Sequence, residues 1–237
     1  MGAKKFFCIL DTETVTNARK VFDLGYKVID RQGNVYETGS YVVAEQVDTI
    51  DGIAELIADR FSSSKSPIYF NDIINGNKEF EVAPFDIIRE IVNDAIRNYH
   101  ATVCAYNLAF DMRALNKTSQ LYCGCDFFEE MPETIDIWGA AMSTICAAQK
   151  YIKFIVENNL LTDNGNPKTG AETVYQFITN DVDFMERHTA LADCDIEHAI
   201  FNACIRTHKK MNCDTVGMCC HNCYWQDIVA RYRAYTA

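Results

Sequence analysis

Residues 6–10 read Phe-Phe-Cys-Ile-Leu, and this apolar run stops abruptly at Asp11 and Glu13. So short a continuous run suits a strand covered on both faces, and falls far below the ~18–20 residues that span a bilayer. A strand of that kind cannot stand alone. It needs partner strands at its edges and helices over its faces, which points the chain towards a layered α/β architecture. The same stretch has some look of a signal peptide, but its apolar part meets two acids with no small-residue cleavage site. Met1-Gly2 lacks the hydroxyl expected at position 6 for myristoylation, where Phe6 stands.

The following residues supply those partners. Residues 21–30 partly alternate, Arg31-Gln32-Gly33-Asn34 is a turn signal, and residues 35–43 return to β-type composition, so a hairpin beside the first strand is expected. Ile53, Leu56, Ile57 and Phe61 fall at helical spacing over residues 50–61. Residues 62–82 read as an irregular excursion. A helix is expected after Pro84 to about Asn98, then a strand over 101–106, then a short helix from Asn107, as N-cap, through about Leu115. Residues 117–133 read as a loop, 136–158 as helical, 163–167 as a turn, and 171–179 and 189–209 as helices. The tail is Cys-rich and then amphipathic. The expectation is an α/β fold with a mixed β-sheet flanked by helices: a single domain over residues 1–210, with a C-terminal extension over 211–237 packed on or near it.

Composition narrows the function classes. With 49% apolar and 23% charged residues, the 237-residue chain has an ordinary globular balance. A formal charge of −11 argues against a protein held on nucleic acid by a broadly basic surface, though not against an enzyme with few local contacts. Eleven cysteines, an odd number without a secretion signal, suggest reduced thiols in a cytoplasmic setting, and no membrane partner is expected.

Chemistry is concentrated in three short runs: Asp11-Thr12-Glu13, Asn107-Leu108-Ala109-Phe110-Asp111, and His188-Thr189-Ala190-Leu191-Ala192-Asp193. On a strand, Asp11 and Glu13 point to the same face. Two adjacent carboxylates are unfavourable without a positive charge between them, and hard oxygen donors suit Mg²⁺ or Mn²⁺. Asp111 is expected early in one helix and Asp193 near the start of another, with His188 in the loop before it, where it can act as a base near neutral pH. Taken singly, each of these has an ordinary explanation: a surface acid, a helix cap, a first-turn acid, an exposed histidine. Together they form a complete set for metal-assisted cleavage of a phosphodiester.

In order and spacing the three runs resemble the DEDDh family of 3′–5′ exonucleases, of the ribonuclease H-like superfamily, whose motifs are Asp-x-Glu, Asn-x-x-Phe-Asp and His-x-Ala-x-x-Asp. The resemblance spans residues 5 to about 205 and includes Phe22-Asp23-Leu24-Gly25, similar to the family's second strand, and Thr134-Ile135-Asp136, similar to a segment between its later motifs. It implies a ribonuclease H-like sheet and release of nucleoside 5′-monophosphates from single-stranded DNA or RNA 3′ ends. It also implies two Mg²⁺ or Mn²⁺ ions held by Asp11, Glu13, Asp111 and Asp193, with His188 as general base. Substrate contacts would fall at Thr12, Asn107 and Phe110. Where the family often continues its first motif with Thr-Gly, this chain has Val15-Thr16, which changes the expected sugar and base contacts but not the metal ligands. A separate polymerase chain or a homodimer partner stays open, as does the choice between DNA and RNA. Two other readings are a nuclease-like binding module, against which all five active residues stand, and a phosphodiesterase acting on small nucleotides.

Two features lie outside the runs. Cys213, Cys219, Cys220, His221 and Cys223 offer a structural zinc site, with Cys123 and Cys125 as a further pair, but the spacing matches no known finger well and free thiols are the default. Arg231 and Arg233, with Arg206, Lys209 and Lys210, offer a local basic patch; an amphipathic helix that merely covers the domain is the stronger expectation. His198 is expected to be a packing or surface residue.

Overall fold

The computed structural model describes residues 4–15, 19–58, 80–211 and 218–236, with side chains in the last stretch from residue 224 onward. Its strands are β1 (Phe6–Val15), β2 (Lys20–Asp30), β3 (Val35–Val43), β4 (Glu81–Ala83), β5 (Thr102–Ala105) and β6 (Thr134–Asp136). They form one mixed sheet in the order β4-β3-β2-β1-β5-β6. β1 pairs antiparallel with β2 and parallel with β5, and β5 pairs parallel with β6. The carboxyl end of β1 therefore lies where the sheet changes from antiparallel to parallel, a position where open α/β sheets often place their ligands. The expected hairpin is present: the β2–β3 turn places Gly33 at φ 87°, and the Asp30 carboxylate accepts from the Gln32 and Asn34 amides.

Alternation along β1 divides the interior. Cys8 and Leu10 face a core with residues of α3 (Phe85–Tyr99) and α4 (Leu108–Tyr122), including Ile88, Val92, Ala114 and Leu115. Phe7 and Ile9 face the other core. It contains residues of α5 (Ile137–Ala141), α6 (Gln149–Glu157), α7 (Ala171–Thr179) and α8 (Ala190–Arg206). The closing helix, Met218–Thr236, buries Ile228 completely in that second core, with Tyr224 and Tyr232 packed against it. Burial of one such side chain contributes roughly 1.5–3 kcal/mol. Short helices at Ala44–Val47 and Ile50–Ala58 complete the described elements.

Several expectations need correction. α4 runs to Tyr122, not Leu115; within it the Thr118 hydroxyl donates to the Ala114 carbonyl and accepts from the Val21 amide of β2, tying the added turn to the sheet. Asn107 occupies the N-cap position, but in the left-handed region at φ 66° and with no side-chain cap bond. The helix expected from residue 136 begins at Ile137, since Ile135 and Asp136 extend β5's edge as β6. It continues as a π-helical turn over Met142–Cys146 before α6. Most of the 62–82 excursion lies outside the described residues, as do Cys213 and the side chains of Cys219, Cys220, His221 and Cys223. Among the described residues, no helix is long and apolar enough to cross a membrane.

Candidate active site

Asp11 and Glu13 continue the face of β1 begun by Phe7 and Ile9, and α8 covers that face. Gly25 explains how the helix comes so close. It pairs with Asp11 across the β1–β2 ladder, and a Cβ there would lie 2.4 Å from the Leu191 nitrogen and 2.5 Å from the Ala190 carbonyl carbon. Only hydrogen fits between this strand and the start of α8. The Ala190 amide also donates to Asp23 Oδ2 at 2.8 Å, so the helix start is tied to β2 by a charge-assisted bond. Asp193 then falls in the first turn of α8. Just before the helix, His188 adopts φ 56°. The result is a group in which one donor atom each from Glu13, His188 and Asp193 lies within 4.8 Å of the others. Glu186 Oε2 stands 3.7 Å from His188 Nδ1.

Asp111 reaches the same strand end from the other side of the sheet. It is 2% exposed in the first turn of α4, and its Oδ1 accepts from Thr12 Oγ1 at 2.8 Å and from the Thr12 amide at 3.2 Å. Thr12 thus holds Asp111 against β1. Half-buried Phe110 precedes it, and the Asn107 amide donates to Asp136 Oδ1 at 3.2 Å. Asp136, fully buried, caps α5 by accepting from the Trp138 and Gly139 amides.

One carboxylate was missed by motif reading. Glu197, four residues after Asp193, is 3% exposed, and its Oε2 has no hydrogen-bond partner among the described residues. The spacing could have revealed it, since positions i and i+4 of a helix share a face. Burial, then Asp111, raises the Glu197 carboxyl well above the usual range, with the Tyr106 amide opposing. Burial raises Asp11 likewise, and the charges acting on it most strongly, Asp111, Glu197, Asp193 and Glu13, are all acids. Burial pushes Asp111 up to about 7 against the Thr12 hydrogen bonds. Two like charges 4 Å apart repel by roughly 4 kcal/mol at an effective dielectric of ~20. These acids cannot all ionise together unless cations lie among them.

The donor set fits hard divalent cations. It is carboxylate oxygen plus one imidazole, and Glu197 leaves a buried oxygen unbonded. The soft donor nearby is excluded: burial, then Asp11, raises the Cys194 thiol well above its ordinary value, and its sulfur points to the Ile9 carbonyl. His198 stands apart, half-buried beside Lys27 and Asp195, with burial as the main cause of its lowered pKa. Of the residues of the alternative basic patch, Arg231 pairs with Asp227 and Lys209 donates to the Thr144 carbonyl, in line with the expected covering helix.

No family model and no curated protein matches this sequence. Among solved structures, E. coli Exonuclease I in complex with a 5cy-dT13 oligonucleotide is similar over 83% of this chain and 39% of its own, at 13% identity and a TM-score of 0.52. Exonuclease X in complex with 5′ overhanging duplex DNA aligns over 85% of this chain and 92% of its own, at 16% identity and a TM-score of 0.40. This chain spans about two-fifths of Exonuclease I, having the ribonuclease H-like fold of that exonuclease: a mixed six-stranded sheet flanked by helices.

Proposed function

We propose that this chain is a two-metal-ion 3′–5′ exonuclease that releases nucleoside 5′-monophosphates from single-stranded DNA or RNA 3′ ends. One observation carries the reading: Asp11, Glu13, Asp111 and Asp193, drawn from a strand and two helices, converge with His188 at the carboxyl end of β1 in an exonuclease fold. Exonuclease I was solved with an oligonucleotide, which supports a nucleic-acid strand as the substrate here. Asp11, at the centre of the acids, would hold two Mg²⁺ or Mn²⁺ ions together with Glu13, Asp193 and Asp111. When bound, the cations polarise the phosphodiester and activate the attacking water. His188 accepts that water's proton, and Glu186 beside Nδ1 balances the charge the ring then carries. Thr12, Asn107 and Phe110 border the acids and contact the terminal nucleotide.

The test is digestion of 5′-labelled single-stranded DNA and RNA with Mg²⁺ or Mn²⁺. Stepwise shortening from the 3′ end is expected, and His188→Ala and Asp11→Ala should each slow it by on the order of 10³-fold. Wild-type rates in both variants would refute the site assignment.

A further inference from the structure

The chain's two tryptophans, Trp138 and Trp225, line one cavity of about 570 Å³. We propose that this cleft binds an unpaired nucleobase of the strand being degraded; the inference rests on the nuclease reading above. The volume falls in the range of small-ligand sites, roughly 300–1,000 Å³. Trp138 is held in place before any ligand arrives. Its indole N–H donates to Thr169 Oγ1 at 3.2 Å, and its ring stacks on Tyr106 with centroids 6.3 Å apart and planes inclined by 25°. Trp225 comes from the closing helix, which is anchored by fully buried Ile228. Two anchored indoles give a base the flat apolar surfaces on which single strands stack in a sequence-tolerant way.

The cleft adjoins the candidate active site. Glu186 lines it and also lies 3.7 Å from His188 Nδ1. Trp138 follows Asp136 by two residues, and Tyr106, stacked beneath Trp138, offers its amide to Glu197. A nucleotide near the one being cleaved therefore falls within reach of the cleft. Charge selects which part of that nucleotide enters. Glu172 and Glu186 both line the cavity against one cation, Lys168, so its lining carries a net negative charge, and Glu172 Oε2 accepts from the Glu186 amide. Carboxylates repel phosphate but accept hydrogen bonds from amino groups on base edges.

Gly170 provides a clean way to block the site. It lines the cavity at φ −66° and ψ 162°, ordinary extended backbone, and a Cβ there meets nothing within 4 Å. Gly170→Leu therefore adds bulk at the wall of the cleft without backbone strain, whereas Trp225→Ala removes one of its walls. The experiment titrates the full chain, in EDTA to prevent cleavage, with a single-stranded octanucleotide and with an abasic strand of equal length. Binding is read by fluorescence anisotropy of a 5′ label. Wild type should favour the strand carrying bases. Both variants should bind it about tenfold or more weakly, the size of one lost base–aromatic stack, and bind the abasic strand as wild type does. Wild-type affinity of both variants for the base-carrying strand would overturn the cleft. So would equal weakening for the two strands, which would indicate phosphate contact or general disruption. A parallel digestion with Mg²⁺ separates this outcome from failure of the nuclease reading. An active wild type with insensitive variants sinks only the cleft; an inactive wild type whose base preference disappears on Gly170→Leu sinks only the nuclease.

Discussion

The two faces of β1 begin alike and end differently. On one, Cys8 and Leu10 lead to Thr12, whose hydroxyl and amide both bond to Asp111. On the other, Phe7 and Ile9 lead to Asp11 and Glu13, which meet further acids from α8. The first face closes its core with hydrogen bonds that hold its acid, Asp111, in place. The second ends in mutual repulsion that only protons or cations can relieve. A strand buried on both sides can thus stabilise the fold along most of its length and concentrate its functional cost at one end.

The contrast is broken most severely by Asp11→Asn. It should reduce the proposed exonuclease activity by on the order of 10³-fold while raising the melting temperature of metal-free protein, because it removes a buried charge among like charges. A lower melting temperature in calorimetry would mean the acidic face is not repulsive. Next is Gly25→Ala. Its Cβ would press on the Ala190–Leu191 backbone, costing roughly 1–3 kcal/mol in denaturant unfolding and about 10²-fold in activity through displacement of α8. Thr12→Val tests the first face. Loss of the hydroxyl bond to Asp111 should cost about 1–3 kcal/mol, and retention of full stability in urea titration would show that bond to be dispensable.

The smallest expected effect concerns pH. Asp111 has an ordinary value of 3.8 and about 7 in the metal-free fold, so between those values the folded chain holds a proton that the unfolded chain has released. Stability of the metal-free protein should therefore fall as pH rises through that window, whereas the stabilisation given by added Mg²⁺ should grow. Melting curves taken with EDTA and with Mg²⁺ across the window check both signs. Parallel curves would mean that the acids do not hold the cation.

What could be read from sequence followed local rules. Asp11 and Glu13 were readable because strand geometry alone puts them on one face, and the β2–β3 hairpin because Arg31-Gln32-Gly33-Asn34 specifies its turn. β6 was not recognised as a strand on pattern because it is three residues long and depends on pairing with β5. The convergence of Trp138 and Trp225 brings together residues 87 positions apart through helix docking, which no local pattern encodes. Asn107 was readable in part: it stands at the N-cap as its residue type suggests, but it serves the tight connection from β5 by tolerating left-handed backbone rather than by a side-chain cap bond.

The contact at Gly25 also has a dynamic consequence. A joint between two backbones contains no rotamers, so thermal motion cannot loosen it by side-chain rearrangement. The separation between the acids of β1 and those of α8 is thereby tied to the β1–β2 ladder. The spacing between the two proposed cation sites is consequently set by a backbone joint rather than by side-chain packing.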